Sequence, residues 1–174
     1  MQKDFEQLSA RVSLRDCSQN DEELLLRIYA SGRPDLEWIT ELDSNSKRML
    51  ICQQYQIEMK SMDIQYPSAA RRIVLLDGEP VGRFDTYDAK TFIRILSVTL
   101  LPEYRGKGIG SGLIQTIMDM ARKTNRYVCL NVNWFNSRAR SLYEKLGFHV
   151  TMDKSISYEM CWTPEVHGLL AHDF

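Results

Sequence analysis

Cysteine is scarce in this chain of 174 residues: there are four, and none lies close to another in sequence. Cys17, Cys52, Cys129 and Cys161 form no CxxC pair and no Cys/His cluster with metal-ligand spacing, so each reads as a small buried hydrophobe and no metal is expected. A basic excess is also missing. The 22 Lys and Arg are matched by 23 Asp and Glu, a net charge of -1. A dedicated nucleic-acid binder would carry surplus cations for the phosphates, so nucleic acid is not an expected partner. No apolar run approaches the ~18 residues that would span a bilayer, and the opening MQKDFEQLSARVSLRD lacks the apolar core of a secretory leader. These absences together set the expectation of a cytoplasmic protein with reduced thiols and no membrane partner. No repeat, low-complexity tract or Gly/Ser-rich linker divides the sequence, so residues 1–174 read as one domain. A chain of this length buries ~70% of its unfolded surface and needs no staple to fold.

What is present is a succession of short periodic segments. Residues 8–15 alternate Leu8, Ala10, Val12 and Leu14 with polar partners, the pattern of a half-buried strand. Asn20 with Glu23 resembles a capping box opening a helix over 24–30, stopped by Gly32 and Pro34. A second helix is predicted over 47–62, with Met49, Leu50, Cys52, Ile57, Met59 and Met62 in a loose stripe. Strands at 72–76 and 80–87 flank Asp77-Gly78 as a hairpin, and 92–101 is a longer apolar strand ending at Pro102. The second half alternates helix and strand: 109–122 helical with Ile109, Leu113, Ile117 and Met120 on one face, 127–132 a strand, 137–146 a helix closed by Gly147, then strands at 149–152 and 157–162. The fold class is α/β (α+β) with a mixed sheet.

The stretch SVTLLPEYRGKGIGSGL, residues 97–113, carries the most chemistry. A strand ends, Gly106, Gly108 and Gly110 follow within five residues, and a helix begins near Ile109. Glycines permit close backbone approach, and the helix start adds unpaired N–H groups and the positive end of its dipole. Together they suit a phosphate or pyrophosphate. The string is neither a Walker loop, since GxxxxGK[ST] is absent, nor a dinucleotide fingerprint, since Ser111 or Leu113 falls where GxGxxG needs its last glycine.

RGKGIG, residues 105–110, resembles the R/Q-x-x-G-x-G/A coenzyme A signature of the GNAT N-acetyltransferase superfamily. It lies between a V-x-L-x-P strand end (Val98, Leu100, Pro102) and a long helix, and NSRARSLYEKLGF, residues 136–148, resembles that family's next helix at the expected separation. The resemblance covers roughly 72–162. It implies a single GNAT-like domain whose mixed, mostly antiparallel central sheet is flanked by helices and splays between the fourth and fifth strands. It also implies acetyl-CoA as cosubstrate, with 72–162 as the coenzyme-binding core and 1–70 supplying acceptor-side helices. The pyrophosphate would lie on the backbone of Arg105, Gly106, Lys107, Gly108, Ile109 and Gly110. The pantetheine arm would pair with Val98 and Leu100 as an added strand, and Arg105 and Lys107 would add positive charge, although either can be a solvated side chain and Lys107 reads first as one.

By the same resemblance Tyr143 is the proton donor to the departing thiolate. It also fits an apolar helical stripe with Ala139, Leu142 and Leu146. Asn136 is an N-cap by chemistry and a coenzyme contact by resemblance, and the Leu100 N–H would polarise the thioester carbonyl. Where many relatives carry an acidic base this chain has Ser97, which leaves an ordered water or Asp85 for the amine's proton, with Asp85 expected at the surface. His149 at a strand start reads as structural. Tyr29, Trp38, Tyr55 and Tyr66, with Asp35, Glu37, Glu41 and Asp43, would make an aromatic and acidic rim suited to a cationic amine. The expected activity is acetyl transfer from acetyl-CoA to a primary amine of a small molecule or peptide by direct attack in a ternary complex. The competing expectations are a non-catalytic acyl-CoA sensor and an acyltransferase with a longer acyl group or a hydroxyl acceptor. Family members often dimerise, which adds a homodimer to what the resemblance implies.

Overall fold

The computed structural model describes residues 10–33 and 42–164. Among them are seven strands: β1 Val12–Asp16, β2 Ala70–Leu76, β3 Glu79–Asp88, β4 Phe92–Leu100, β5 Tyr127–Asn133, β6 His149–Asp153 and β7 Ser157–Trp162. Four α-helices accompany them: α1 Glu22–Ser31, α2 Ser44–Gln65, α3 Ile109–Lys123 and α4 Ser137–Lys145. The strands form one mixed sheet in the order β1-β2-β3-β4-β5-β7-β6. The pairs β1–β2, β2–β3, β5–β7 and β6–β7 are antiparallel. The α/β class with a mixed, mostly antiparallel sheet is therefore as expected.

The chain divides into two compact units, Met1–Asp88 with Ile95–Ile114, and Ala89–Arg94 with Gln115–Phe174. The division runs through β4, whose Phe92–Arg94 part belongs to the second unit and whose remainder belongs to the first.

In the first unit the β2–β3 hairpin turns on Asp77 (φ 52°) and Gly78 (φ 86°). Positive φ at both central residues is the type I′ geometry that matches strand twist. A bidentate contact from Arg11 to the Asp77 carboxylate braces the turn. The start of α1 differs from expectation. Asn20 lies inside a short 3₁₀ turn, Gln19–Asp21, capped by Ser18. Ser18 donates its N–H (2.8 Å) and its hydroxyl (2.9 Å) to Asp21 Oδ2. Asp21 outcompetes Asn20 because its carboxylate also takes both guanidinium nitrogens of Arg15, at 2.6 and 2.7 Å.

The expected strand 8–15 is shifted. Residues 8 and 9 lie outside the described set, Ala10 and Arg11 are helical, and β1 begins at Val12. Among the described residues β1 is an edge strand paired to β2, and its alternation is weak, with Leu14 36% exposed.

α2 is longer than expected. Asp43 caps it, accepting from the backbone N–H of Asn45 (2.9 Å) and Ser46 (3.2 Å). Only Met59 of its predicted apolar stripe is buried, while Met49 and Ile57 face solvent. The buried face of α3 is also turned from the one predicted. Ile109, Leu113, Ile114, Ile117, Met118 and Ala121 are buried, but Met120 is exposed. The run 114, 117, 118, 121 is the true i, i+3, i+4, i+7 face.

In the second unit Gly147 closes α4 with φ +91°, the left-handed helix stop that the sequence predicted. The cysteine reading needs correction. Cys129 on β5 and Cys161 on β7 are direct cross-strand partners and form a disulfide with a Cα–Cα distance of 4.2 Å. Their separation of 32 residues hides a register that only the folded sheet creates. Cys17 and Cys52 are free thiols, each half-buried. The expectation of uniformly reduced thiols, on which the cytoplasmic assignment leaned, therefore does not hold. No helix among the described residues is long and apolar enough to cross a membrane.

Candidate active site

β4 delivers the chain to Leu100, and Leu101 leads into a short 3₁₀ turn, Pro102–Tyr104. The glycine loop follows, and α3 starts at Ile109, which is 2% exposed and anchors the loop's end in the core. Gly106 (φ 75°) and Gly108 (φ 85°) both occupy the left-handed region, where a side chain would be strained. This turn lets Gly108 open α3, its carbonyl accepting the first helical bond from Gly112 N at 2.9 Å. The N–H groups of the first helical turn then lack intrahelical partners and point out of the helix start. Gly110 needs no special freedom, because an added Cβ would meet Val98 Cγ1 at an ordinary 3.6 Å. The loop has the features an anionic diphosphate requires: two left-handed glycines, outward N–H groups and a helix dipole.

The two cations of the loop have protein partners. Arg105 Nε donates to Leu100 O (2.8 Å), and its Nη2 donates to Ser31 O (2.7 Å) and Ser31 Oγ (3.0 Å). Its guanidinium thus ties the loop to the end of β4 and the C-terminus of α1. Lys107 Nζ lies 5.3 Å from the centroid of the Tyr104 ring, a cation–π contact. What the loop offers an anion is main chain more than side chain.

The final residues of β4 run close to β3. Leu101 N donates to Val81 O at 2.9 Å. A Cβ built on Gly82 would fall 2.5 Å from Thr99 O and 2.6 Å from Leu100 Cδ2, so glycine is required there by the approach of the backbones. Val98 is half-buried and Leu100 buried. Ser97 Oγ is 3.3 Å from Thr99 Oγ1, and the two form a hydroxyl pair.

One residue farther into β3 lies a feature the sequence reading missed. Arg83 and Asp85 are 5% and 2% exposed and form an ion pair, which corrects the expectation that Asp85 sits at the surface. Alternation places both on the same face of β3. Above them α2 contributes Met59, whose Sδ is 3.0 Å from Arg83 Nη2, and Tyr55, whose ring centroid is 5.7 Å from the guanidinium. Burial raises the Asp85 carboxyl above its ordinary range while Arg83 opposes that rise. Burial likewise raises the Tyr55 phenol and the Cys17 thiol, both of which feel Asp85. Two opposite charges at alternate positions between Val81 and Tyr87 were the signal in the sequence. A buried face of a central strand should be apolar there.

Of the expected aromatic rim, Tyr29 and Tyr55 meet edge-to-face with centroids 5.4 Å apart, and Arg33 donates to the Tyr29 hydroxyl at 2.6 Å. Tyr66 instead packs on Tyr87 at 5.1 Å. Asp43 serves as the cap of α2 described above. Asp35, Glu37, Trp38 and Glu41 lie outside the described residues.

In the second unit, Asn136 caps α4 by accepting from Ala139 N at 3.0 Å. Tyr143 rests on Phe148, ring centroids 6.0 Å apart, and desolvation raises its phenol pKa. His149 is exposed at the start of β6. No group of three or more His, Cys, Asp or Glu among the described residues is arranged to hold a metal ion.

A strand that ends in a left-handed glycine turn at a helix start, within a seven-stranded mixed sheet, is the architecture that the GNAT resemblance implied. Comparison with known proteins agrees. A model of the acetyltransferase (GNAT) family matches residues 35–148. The spermidine N(1)-acetyltransferase of Escherichia coli strain K12 is 30% identical over 129 residues, 68% of this chain and 69% of that protein. An uncharacterized N-acetyltransferase of Archaeoglobus fulgidus is 37% identical over 76 residues, and the match spans 52% of its length. Among solved structures, the PaiA N-acetyltransferase of Thermoplasma acidophilum in complex with coenzyme A has a TM-score of 0.64 at 22% identity, covering 87% of this chain and 98% of that one. Arabidopsis thaliana Naa50, solved with a bisubstrate analogue CoA-Ac-MVNAL, has a TM-score of 0.55 at 20% identity, covering 88% and 98%. The chain belongs to the acetyltransferase (GNAT) family.

Proposed function

We propose that this protein transfers the acetyl group of acetyl-CoA to a primary amine on a small molecule or peptide, by direct attack in a ternary complex. The observation that carries the reading is the pair of left-handed glycines, Gly106 and Gly108, opening α3 directly after the β4 end. The backbone of residues 105–110 would hold the pyrophosphate, and the main chain of Val98 and Leu100 would pair with the pantetheine arm. The Leu100 N–H would donate to the thioester carbonyl oxygen as charge develops there. Attack by a neutral amine forms the C–N bond as the C–S bond breaks, with the electron pair leaving on sulfur. Tyr143 would then supply the thiolate's proton, since a phenol keeps its proton at neutral pH. Asn136 would contact the coenzyme in addition to capping α4.

The spermidine and peptide chemistries named for the relatives bracket the acceptor class without choosing within it. The decisive experiment is free-thiol release from acetyl-CoA across amines, polyamines and N-terminal peptides, with calorimetry of acetyl-CoA on the same sample. Acceptor-dependent release is expected. Tight binding without release for every acceptor would favour the sensor reading, which the hydroxyl at Ser97 supports. Absence of binding would overturn the coenzyme loop itself.

A further inference from the structure

The Arg83–Asp85 pair is buried on β3 beneath Met59 and Tyr55 of α2. Well-packed apolar residues commonly replace a buried ion pair without loss of stability. This pair is moreover incompletely satisfied, because Arg83 Nε and Asp85 Oδ1 have no hydrogen-bond partner among the described residues. A buried donor or acceptor left without a partner destabilises the fold. Arg83 engages Oδ2, so the free oxygen is the one not taken by the guanidinium, and what it lacks is a donor. The neighbours describe that donor. Tyr55 and Cys17, both half-buried, are the partly accessible groups that share the pair's field. The Tyr55 ring, braced edge-to-face by Tyr29, lies 5.7 Å from the Arg83 guanidinium and beside the pair. β4 offers only the Ser97 and Thr99 hydroxyls nearby in sequence to its coenzyme edge, and neither holds a proton taken from an amine.

We propose that Asp85, through its unpartnered Oδ1, accepts the proton of the acceptor's ammonium group and thereby frees the amine for attack. This rests on the acetyl-transfer reading above. The N–H bond of the ammonium breaks, its electron pair stays on nitrogen as the nucleophile, and the proton resides on the Asp85 carboxyl until the product leaves. Arg83 remains cationic throughout and holds the carboxylate in place. The groups facing Asp85 are Arg83 on its own strand, Arg71 and the backbone N–H of Arg72 on β2, Tyr55 on α2, and Cys17 after β1. Burial raises the carboxyl's affinity for a proton, and the two arginines oppose that rise.

The test measures kcat by thiol release for the wild type, Asp85→Asn and Asp85→Glu from pH 6 to 10, with the best acceptor of the amine panel. Acetyl-CoA affinity by calorimetry accompanies each variant. Asp85→Asn is expected to bind acetyl-CoA as the wild type does and to lose about 100-fold in kcat at pH 7. That loss should shrink as the pH nears the amine's own pKa, and Asp85→Glu should recover much of the rate. A loss under threefold, or one of equal size at every pH, overturns the proposal in favour of a packing role. Should Asp85→Asn fail to fold, Arg83→Lys serves instead. Its weaker hold on the carboxylate must move the acid limb of the rate profile to higher pH, and an unmoved limb overturns the proposal. Failure of the wild type to release thiol with any amine would instead refute the acetyl-transfer reading.

Discussion

At Gly108 the backbone needs a left-handed conformation, and the helix that follows needs that residue's carbonyl for its first bond. A valine there would meet a positive φ that β-branched residues almost never adopt, and its side chain would occupy the space a diphosphate needs. Gly108→Val is expected to abolish acetyl-CoA binding in calorimetry while the far-ultraviolet circular dichroism stays native. Unchanged affinity in the folded variant would remove the cradle. Tyr143 makes a different kind of prediction, since its ring packs on Phe148 whichever role its hydroxyl has. Tyr143→Phe keeps the ring and removes the proton, so kcat should fall by about 10- to 100-fold with little change in acetyl-CoA affinity. A wild-type rate would reassign the residue to packing.

At the scale of elements, caps and hairpins were the most legible parts of the sequence. Asp77-Gly78, Asn136 and Gly147 act through local backbone geometry, so the residues and their immediate neighbours suffice to read them. Asn136→Ala should lower stability by about 1 kcal/mol, the usual cost of an N-cap, measured as a shift in the urea midpoint at constant slope. A null shift would mean that the α4 N-terminus is satisfied by another group. What the sequence concealed was anything decided by partners far along the chain. Asn20 lost its capping role because a 3₁₀ turn opens at Ser18, whose partner Asp21 is held by Arg15 from the preceding strand. The stripe on α2 was read as core, yet only Met59 meets one, because a helix pattern records apolar positions and not the surface they face. The glycine turn that opens α3 was legible for the same reason the caps were, being continuous in sequence. The Arg83–Asp85 pair was not, since its meaning depends on α2 lying over it.

For the whole molecule, the Cys129–Cys161 bond is the one covalent constraint outside the backbone among the described residues. It closes a loop spanning 32 residues that contains α4 and β6. Chain-entropy arguments put its contribution at about 3–4 kcal/mol. Reduction, or Cys129→Ser, should therefore lower the thermal midpoint by several degrees. Scanning calorimetry with and without reductant checks this, and identical midpoints would mean that the bond constrains nothing the sheet does not already fix.

The division of the chain carries a further consequence for its biosynthesis. The first unit takes its last residues from Ile95–Ile114, while Ala89–Arg94, which precede them, belong to the second. Neither unit is an uninterrupted stretch of polypeptide. The first cannot be completed on the ribosome until Ile114 has emerged, and by then a fragment of the second has already been made and must wait for its partners. Cutting the gene at any single point cannot release either unit whole. Evolution can therefore exchange neither unit by simple recombination, and the two must be inherited as one sequence.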